Sequence, residues 1–362
     1  MFQAIASRLA AIYISFMLSA DNPSDSQIKA FHKALHRWYA AHGRRDLPWR
    51  NTNNPYEVYI SEIMLQQTQV KTVLERFYAP FLKAFPTLAA LAAADHQAVA
   101  KKWEGLGYYT RAANLHKAAQ QSGGMLPGTW EELQKLPGIG RNTASAVACF
   151  GFGQAVPVME ANVRRVLCRV FAMKEARDDV LWEKAELLLD KQNPFDYNQA
   201  MMDIGAMVCT KRAPRCEICP LAAICKGKIA PESYPAPKKA KITPTRKRVI
   251  VVLHDGRGGY FLYKRTTRFL HGLYGFPEYD EGTKTFTLAE SEYSLLRKAL
   301  LGQITQTYSH FTLQAEVYLA KVDAQEAKAA GLQCATRNEI KELPLSGADH
   351  KVLALLDTNN QK

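Results

Sequence analysis

Four cysteines near the middle of the chain have a spacing that suits metal chemistry. The chain of 362 residues contains seven cysteines, and four of them follow the pattern C-x6-C-x2-C-x5-C. Four thiolates this close together can hold one ion or one cluster, so a structural zinc site and an iron–sulfur cluster both stay open. An odd, clustered set favours a reduced compartment over a secreted disulfide framework. The candidate ligands are Cys209, Cys216, Cys219 and Cys225.

The loop between the first two of these cysteines is strongly basic. It contains Lys211, Arg212 and Arg215, and the whole chain carries a formal net charge of +13. Such an excess favours a polyanionic partner, either nucleic acid or an anionic membrane surface, although a merely basic soluble protein is the alternative. We expect the metal centre to hold a phosphate-binding loop rigid.

A second chemical signal is one acid in an apolar stretch. Glu160 lies in VPVMEANVRRVL, residues 156–167, two positions before Asn162. A carboxylate among Val, Pro and Met loses solvation unless a donor or a cation compensates it. The pattern therefore raises the question of what this acid does.

The segment LQKLPGIGRNTASAV, residues 133–147, predicts two helices joined by a glycine turn. Gly138 and Gly140 let the chain turn without a Cβ clash. The turn then presents backbone N–H groups at the start of a helix, where an anion is favoured. This is the helix-hairpin-helix pattern, which binds the DNA backbone without reading sequence. A turn without a binding role is the alternative.

These residues need two structural modules to position them. Residues 27–225 predict nearly continuous helix, and residues 61–77 predict one helix with Ser61 as its N-cap. The Pro- and Lys-rich residues 227–248 predict a linker, after which VIVVLHD and GGYFLYKR predict strands. The expected organisation is an uncertain N-terminal extension (1–26), a helical domain (27–226), the linker (227–248) and an α+β domain (249–362).

No apolar run reaches the ~18 residues of a membrane span. Residues 1–20 resemble a signal peptide weakly, but the early charge is thin and the cysteine pattern argues against export. A loose helix or a non-native amino terminus is the preferred interpretation. We expect a cytoplasmic monomer without a membrane partner.

Three further strings carry a family resemblance. SEIMLQQTQV, GLGYYTRAANLHKAA and YNQAMMDIGAMVCT begin at residues 61, 105 and 197. With the helix-hairpin-helix and the cysteine loop, they resemble the endonuclease III superfamily of DNA glycosylases and, within it, the MutY family of adenine DNA glycosylases. The resemblance implies a multi-domain protein: an all-α helix-hairpin-helix glycosylase domain with a [4Fe–4S] loop, followed by an α+β Nudix-like domain.

The second domain supports the same resemblance. GLYGFP, residues 272–277, and the triplet Tyr308-Ser309-His310 look like the carboxy-terminal module of that family, which recognises 8-oxoguanine. The paired glutamates of a Nudix hydrolase box are absent, because residues 283–303 offer only Glu290 and Glu292. A pyrophosphatase is therefore disfavoured. Taken alone, the triplet would be an ordinary strand.

By this resemblance, Glu62 is the proton donor to N7 of adenine. Its alternative role is an acid favoured by the start of a helix. Glu160 aligns with the second acid, which the family normally supplies as aspartate. The extra methylene moves the carboxylate by ~1.5 Å, and a misplacement of ~1 Å can cost on the order of 100-fold in rate. Three roles stay open for Glu160: a repositioned working carboxylate, the acid of a slow enzyme that still binds lesions, or a helix cap.

Two asparagines complete the candidate catalytic set. The resemblance implies that Asn162 holds the second acid and the sugar. Bifunctional relatives that cut the strand carry a lysine at the position of Asn142, which forms a Schiff base with the sugar. The MutY family usually has Ser or Tyr there, so Asn142 is a milder departure. We expect a monofunctional enzyme that leaves an abasic site.

The resemblance also assigns residues to the handling of DNA. Wedge side chains fill the gap left by an extruded base and offset the cost of unstacking. Ser309, flanked by Tyr308 and His310, would read the N7–H of 8-oxoguanine, because an unsatisfied partner costs ~1–3 kcal/mol. The implied wedge residues are Gln66, Gln67 and Tyr108, and the implied adenine pocket consists of Trp49, Arg50 and Gln199.

The sequence thus predicts a base-excision repair glycosylase acting on adenine opposite 8-oxoguanine or guanine in double-stranded DNA, associated with the nucleoid. The first rival is a pyrimidine-specific glycosylase-lyase, which Asn142 and the second domain disfavour. The second is a lesion-binding protein with weak catalysis, which Glu160 favours. The third is a zinc-dependent DNA-binding module.

Overall fold

The computed structural model describes residues 22–237, 243–267, 269–296 and 299–359. Most of the expected N-terminal extension (residues 1–21) and residues 238–242 of the expected linker lie outside these ranges. The helices before residue 238 are α1 (Asp25–His42), α2 (Pro55–Leu65), α3 (Val70–Thr72), α4 (Tyr78–Ala84), α5 (Leu88–Ala93), α6 (His96–Lys102), α7 (Thr110–Gln121), α8 (Trp130–Leu133), α9 (Arg141–Phe152), α10 (Ala161–Val170), α11 (Asp178–Leu188) and α12 (Pro194–Met207).

Strands dominate the remainder of the chain. The strands are β1 (Thr245–His254), β2 (Gly259–Lys264), β3 (Tyr274–Gly275), β4 (Glu278–Asp280), β5 (Thr285–Leu288), β6 (Ser291–Ser294), β7 (Leu300–Thr307), β8 (Thr312–Lys321) and β9 (Gln333–Thr336). They are accompanied by α13 (Ala324–Ala329), α14 (Arg337–Glu342) and α15 (Gly347–Asn359).

The described chain forms two compact units that do not follow chain order. Residues 22–63 and 126–237 lie in the first unit, and residues 64–125 and 243–359 lie in the second. The helical region is therefore divided between both units, and the helices α3 to α7 belong with the strands.

The first unit is built around α1, α10 and α12. Leu35, Leu167 and Ile204, one from each helix, are fully buried in one apolar core. A capping box at Ser24 starts α1, because its hydroxyl accepts from the Gln27 N–H while the Gln27 side chain accepts from the Ser24 N–H. This core supports the loop between α9 and α10, where Glu160 lies.

The second unit contains a sheet in the order β3-β2-β1-β8-β7, in which β1 and β8 are parallel. Alternate residues of β1 enter different cores. Ile250 and Val252 pack into one apolar cluster, while Val249 and Val251 pack into another. Because side chains alternate across a strand, the sheet is buried on both faces.

The helix predicted over residues 61–77 is wrong in both its start and its continuity. α2 begins at Pro55, a residue suited to the first helical turn, and the Asn54 carbonyl side chain accepts from the Tyr56 N–H. Ser61 is therefore not an N-cap; it lies inside α2 and donates to the Val58 carbonyl. α2 ends at Leu65, and Gln67 has a φ of 55° that no helix continues.

The expected linker is not uniform. Short 3-10 turns cover Lys226–Ile229 and Pro231–Ser233, and the Arg169 side chain donates to the Tyr234 carbonyl. β1 begins at Thr245, before the expected boundary at residue 249. The proline-rich segment is thus structured on both sides of residues 238–242.

Candidate active site and nucleic-acid surfaces

Glu62 lies in the second half of α2, where Ser61 is the only other polar residue. Ile60, Ile63 and Met64 beside it are buried, and Glu62 itself is partly buried. Burial and, to a lesser degree, the negative charge of Glu160 raise the pKa of Glu62 to about 7, against the opposing effect of Arg50. A carboxylic acid with this pKa is available as a proton donor near neutral pH.

Glu160 is the N-cap of α10. Its Oε1 accepts a hydrogen bond from the Val163 N–H at 3.3 Å, so the capping role left open by the sequence is present in the structure. Burial raises the pKa of Glu160, while the N–H groups of Asn162 and Val163 and the charge of Arg165 lower it. The donors favour the ionised form, and the apolar surroundings disfavour it.

Two asparagine side chains fix the backbone that leads into Glu160. The Asn198 Oδ1 accepts from the Val158 N–H at 2.9 Å, and its Nδ2 donates to the Val156 carbonyl at 3.0 Å. The Asn142 Oδ1 accepts from the Met159 N–H at 2.8 Å. Residues 153–160 belong to no sheet, so these side-chain amides satisfy backbone groups that a neighbouring strand would otherwise pair. Asn142 therefore supports the acid through the backbone.

Asn162 is the second residue of α10 and lies against Gly205 of α12. Its Oδ1 accepts from Arg165 at 2.9 Å, and Arg165 also donates to the Gly205 carbonyl at 2.6 Å. A Cβ added to Gly205 would lie 2.5 Å from the Asn162 Cβ, so only glycine permits this approach of the two helices. Arg165 further donates to the Cys209 carbonyl.

Arg50 does not present a free guanidinium. It donates to both carboxylate oxygens of the fully buried Asp203, at 2.7 and 2.9 Å. Arg44 binds the same carboxylate through Nε and its backbone N–H, at 2.7 and 2.8 Å. Two cations and bidentate geometry compensate the buried acid, and they hold the pKa of Asp203 below its usual range against the effect of burial.

Gln199 is an unsatisfied acceptor within the same unit. It lies on α12, is 3% exposed, and within the described residues its Oε1 has no hydrogen-bond partner. Buried amide oxygens are normally satisfied, so this one is a candidate acceptor for a ligand N–H. Trp49, 5% exposed, precedes Arg50 in a short 3-10 turn.

The four candidate cysteine ligands line one small pocket, together with Arg169. Arg169 donates to the Cys209 Sγ at 3.2 Å, and the Cys225 Sγ donates to the Arg169 carbonyl at 3.5 Å. Burial and the neighbouring cysteines raise the pKa of Cys219 to about 12, an effect that a bound cationic group would reverse. Across the described ranges, no three His, Cys, Asp or Glu side chains form a group that could hold a single metal ion.

The basic loop extends from this pocket into solvent. Lys211, Arg212 and Arg215 are all exposed. The Arg215 Nη2 donates to the Met207 carbonyl at 2.6 Å, which anchors the loop to the end of α12. In the part of the chain that the structure describes, no helix is long and apolar enough to cross a membrane.

The glycine turn joins α8 to α9 as predicted. Gly138 has a φ of 75°, which favours glycine, and Ile139 is buried beneath the turn. Gly140 is the N-cap of α9 and provides no side-chain acceptor for its first N–H groups. The exposed Arg141 follows, with its guanidinium 4.1 Å from the centre of the Trp182 ring. Stacking holds this cation at the start of α9.

In the second unit, one arginine holds the two predicted wedge segments. Gln67 and Tyr108 have φ values of 55° and 49°, which cost of order 1–3 kcal/mol for residues other than glycine. Arg111 donates to the Gln66 carbonyl at 2.6 Å and to the Gly107 carbonyl at 3.1 Å. Its guanidinium also lies 5.3 Å from the centre of the Tyr108 ring, which remains 44% exposed.

The triplet predicted to read the lesion lies in a hairpin turn, so the strand alternative is wrong. Tyr308, Ser309 and His310 connect β7 to β8, and the Tyr308 N–H donates to the Phe311 carbonyl at 2.8 Å. Ser309 and His310 are exposed at the tip, with the Ser309 Oγ 3.3 Å from the His310 Nδ1. Phe269 packs edge-on against Tyr308 and His310.

Sequence reasoning missed three residues that hold these sites together. They are Asp203, which binds Arg50, Asn198, which holds the loop before Glu160, and Arg111, which joins the wedge segments. All three lie inside the strings that carried the family resemblance. Their identity was therefore visible, but for each at least one partner is 40 or more positions away and had no local signal.

Comparisons with known proteins identify the families to which the two regions of the chain are similar. A model of the HhH-GPD superfamily of base excision DNA repair proteins matches residues 60–190, and a NUDIX domain model matches residues 248–355. The adenine DNA glycosylase of Buchnera aphidicola subsp. Baizongia pistaciae is 35% identical over 295 residues, covering 78% of this chain and 84% of the relative.

A human relative and a solved structure extend the comparison. The adenine DNA glycosylase of Homo sapiens is 42% identical over 221 residues, covering 56% of this chain and 40% of the relative. A solved thermostable thymine-DNA glycosylase superimposes with a TM-score of 0.52 at 29% identity, covering 56% of this chain and 97% of the other. Each of these two matches covers about half of the chain, whereas the NUDIX domain model covers the region after the helices.

Proposed function

Because the chain belongs to the adenine DNA glycosylase family, we propose that it hydrolyses the N-glycosidic bond of adenine paired with 8-oxoguanine or guanine in duplex DNA. It acts as a monomer, on the nucleoid, and leaves an abasic site. The observation that carries the proposal is the pKa of about 7 at Glu62, raised by burial and by the neighbouring Glu160. Two interacting carboxyl groups of this kind suit the cleavage of a glycosidic bond.

Glu62 donates its proton to N7 of the extruded adenine. Protonation makes the base a neutral leaving group, so the bond between C1′ and N9 breaks with its electron pair moving to N9. A donor pKa close to the working pH gives both a protonated population and a favourable transfer. The reaction should therefore slow as pH rises above about 7.

Glu160 stabilises the positive charge that develops on the sugar. Its ionised form is supported by the N–H groups at the start of α10 and by Arg165. It either screens the oxocarbenium ion until water adds to C1′, or bonds to C1′ and is displaced by that water. In both cases the products are free adenine and a deoxyribose hydroxyl.

Gln199 provides the contact that selects adenine. Its buried, unsatisfied Oε1 suits the exocyclic amino group, which is a donor in adenine. Trp49 lines the pocket, and Arg50 supports it through Asp203. Asn142 has no amine, so the enzyme forms no Schiff base and leaves the strand intact.

The remaining assignments concern the duplex. The exposed glycine turn at Gly138 and Gly140 and the basic loop contact phosphates, while Gln66, Gln67 and Tyr108 fill the gap left by adenine. Ser309 accepts from the N7–H of 8-oxoguanine. Cys209, Cys216, Cys219 and Cys225 would hold a [4Fe–4S] cluster, which would support the basic loop rigidly.

The test is adenine release from a duplex with one adenine opposite 8-oxoguanine, under single-turnover conditions. We expect strand scission only after alkali treatment, since the product is an abasic site. A duplex with adenine opposite thymine is the control and should stay intact. Release of a pyrimidine, or scission without alkali, would contradict the proposal.

A second candidate is a lesion-binding protein with weak catalysis. The N-cap bond of Glu160 favours it, because a carboxylate engaged by Val163 is less available to the sugar. This candidate predicts tight binding to the 8-oxoguanine duplex without adenine release. The same assay, combined with a binding measurement, separates the two.

A further inference from the structure

The loop that carries Tyr108 contains two glycines in the left-handed conformation. Gly105 and Gly107 flank its centre with φ values of 89° and 79°, and a Cβ on Gly107 would meet nothing within 4 Å. Glycines of this kind permit many conformations. Besides Arg111, which holds the Gly107 carbonyl, further contacts must therefore fix the direction of Tyr108.

Tyr109, the next residue, makes two such contacts through its hydroxyl group. Its hydroxyl accepts from the Gly105 N–H at 3.3 Å and donates to the Leu345 carbonyl at 3.0 Å. The first bond closes the loop on itself, and the second ties it to the residues before α15. Both groups belong to the second compact unit.

Both backbone polar groups of Leu345 are hydrogen-bonded to residues of the loop between α6 and α7. Its N–H donates to the Glu104 Oε1 at 2.8 Å, and its carbonyl accepts from Tyr109. Leu345 is fully buried, so neither group has water as a substitute. Loss of the Tyr109 hydroxyl would therefore leave a buried carbonyl unpaired, which is unfavourable.

The residue after Leu345 contacts the lesion-reading turn. The Tyr308 hydroxyl is hydrogen-bonded to the Ser346 side chain, whose Oγ also donates to the Asp349 Oδ2 at 2.6 Å. Asp349 in turn pairs with Arg265 at 2.9 Å. The segment 345–346 is therefore held between Tyr109 on one side and Tyr308 on the other.

We propose that Tyr109 is a specificity-determining positioning residue, which holds the wedge residue Tyr108 in register with the Tyr308-Ser309-His310 turn. This inference rests on the proposed function, because it concerns how adenine opposite 8-oxoguanine is preferred over adenine opposite guanine. With the register fixed, contacts of the turn with 8-oxoguanine also place Tyr108 in the gap. A guanine, which lacks the N7–H, draws no such benefit.

The test is Tyr109→Phe, which keeps the ring and removes both hydroxyl bonds. Single-turnover rate constants for adenine release are measured on the 8-oxoguanine and guanine duplexes. Because the variant loses the stabilisation of about one hydrogen bond, the rate constant for the 8-oxoguanine duplex should fall about fivefold. The rate constant for the guanine duplex should change by less than about twofold. The preference for 8-oxoguanine over guanine, which is the ratio of the two rate constants, should therefore fall.

Two controls accompany this variant. Tyr293→Phe removes a hydroxyl bond to Glu326 in the same unit and should leave the preference unchanged. Glu104→Gln keeps an acceptor for the Leu345 N–H but loses the ion pairs with Lys101 and His350, and should reduce the preference by less than Tyr109→Phe does. The midpoint of thermal unfolding is recorded for each.

The outcomes separate the inference from the function on which it rests. Equal falls on both duplexes would mean that Tyr109 is merely structural, and an unchanged preference would also overturn the inference. Either result leaves the glycosylase assignment intact. If the unaltered protein releases no adenine from either duplex, the proposed function fails and the inference fails with it.

Discussion

Glu62 and Glu160 are the same residue type in the same compact unit, yet the protein holds them in different ways. Glu62 lies within a continuous helix whose neighbouring side chains are apolar. Glu160 lies at the end of a loop, facing the free N–H groups of α10 and the charge of Arg165. Burial raises both pKa values, but only Glu160 has several donors that oppose the rise.

The difference shows how backbone position assigns chemical roles. A side chain in mid-helix cannot reach unpaired backbone N–H groups, whereas a residue at an N-cap faces them. Glu62 is therefore suited to hold a proton and Glu160 to remain ionised. Glu160 has these donors, with a side chain that is one methylene longer than that of aspartate.

The largest expected effect comes from removing the proton of Glu62. Glu62→Gln keeps the size of the side chain but cannot transfer a proton, so adenine release should slow by about 10²–10⁴-fold. Binding to the 8-oxoguanine duplex should stay within about threefold, because no phosphate contact is lost. Single-turnover release and a filter-binding titration check the two halves of this prediction. A rate within tenfold of the unaltered protein would exclude Glu62 as the donor.

The loop that aims Glu160 should matter less than the acids themselves. Asn142→Ala removes the acceptor for the Met159 N–H, and a displacement of well under 1 Å should cost about tenfold in rate. Gln154→Ala is the matched control, since it removes an amide bond to Gly128 at the other end of the same loop. If both variants slow release equally, the support of Glu160 by Asn142 is not specific.

The two acids should also differ in their effect on stability. The folded-state pKa of Glu62, about 7, is above its usual value of 4.5, so the folded protein keeps a proton that the unfolded chain releases. The destabilisation caused by Glu62 therefore grows as pH rises from about 4.5 to about 7. Glu62→Gln should raise the free energy of unfolding at pH 8, by up to about 3 kcal/mol, and have little effect at pH 4.5.

Urea unfolding of the unaltered protein and of both glutamine variants at these two pH values measures the effect. Glu160→Gln should gain less at pH 8, because it also loses the charge that favours the start of α10. An equal gain for both variants would remove the electrostatic distinction between the two sites.

The sequence predicted some parts of this arrangement and not others, for physical reasons. The predicted fold class is confirmed. It was predictable because the hydrophobic periodicity and the family strings extend over long segments. The glycine turn is confirmed too, since Gly138 adopts the left-handed conformation that its type permits. Local patterns of this kind are readable in one sequence.

Long-range pairings were not readable. Arg50 is bound by Asp203, which lies 153 positions away, and Asn198 holds a loop 40 positions away. No local spacing marks such partners. The wrong N-cap at Ser61 has a different cause: serine does cap helices, but Pro55 had already started this one.

The most direct test of the account is whether Glu160 works as it stands. Single-turnover adenine release from the 8-oxoguanine duplex is measured for the unaltered protein, Glu160→Asp and Glu160→Gln, with binding measured in parallel. The account predicts rates within about tenfold for the glutamate and aspartate forms, and a loss of at least about 100-fold for glutamine. Release by the aspartate form alone, with equal binding by all three, would contradict it and identify a lesion-binding protein.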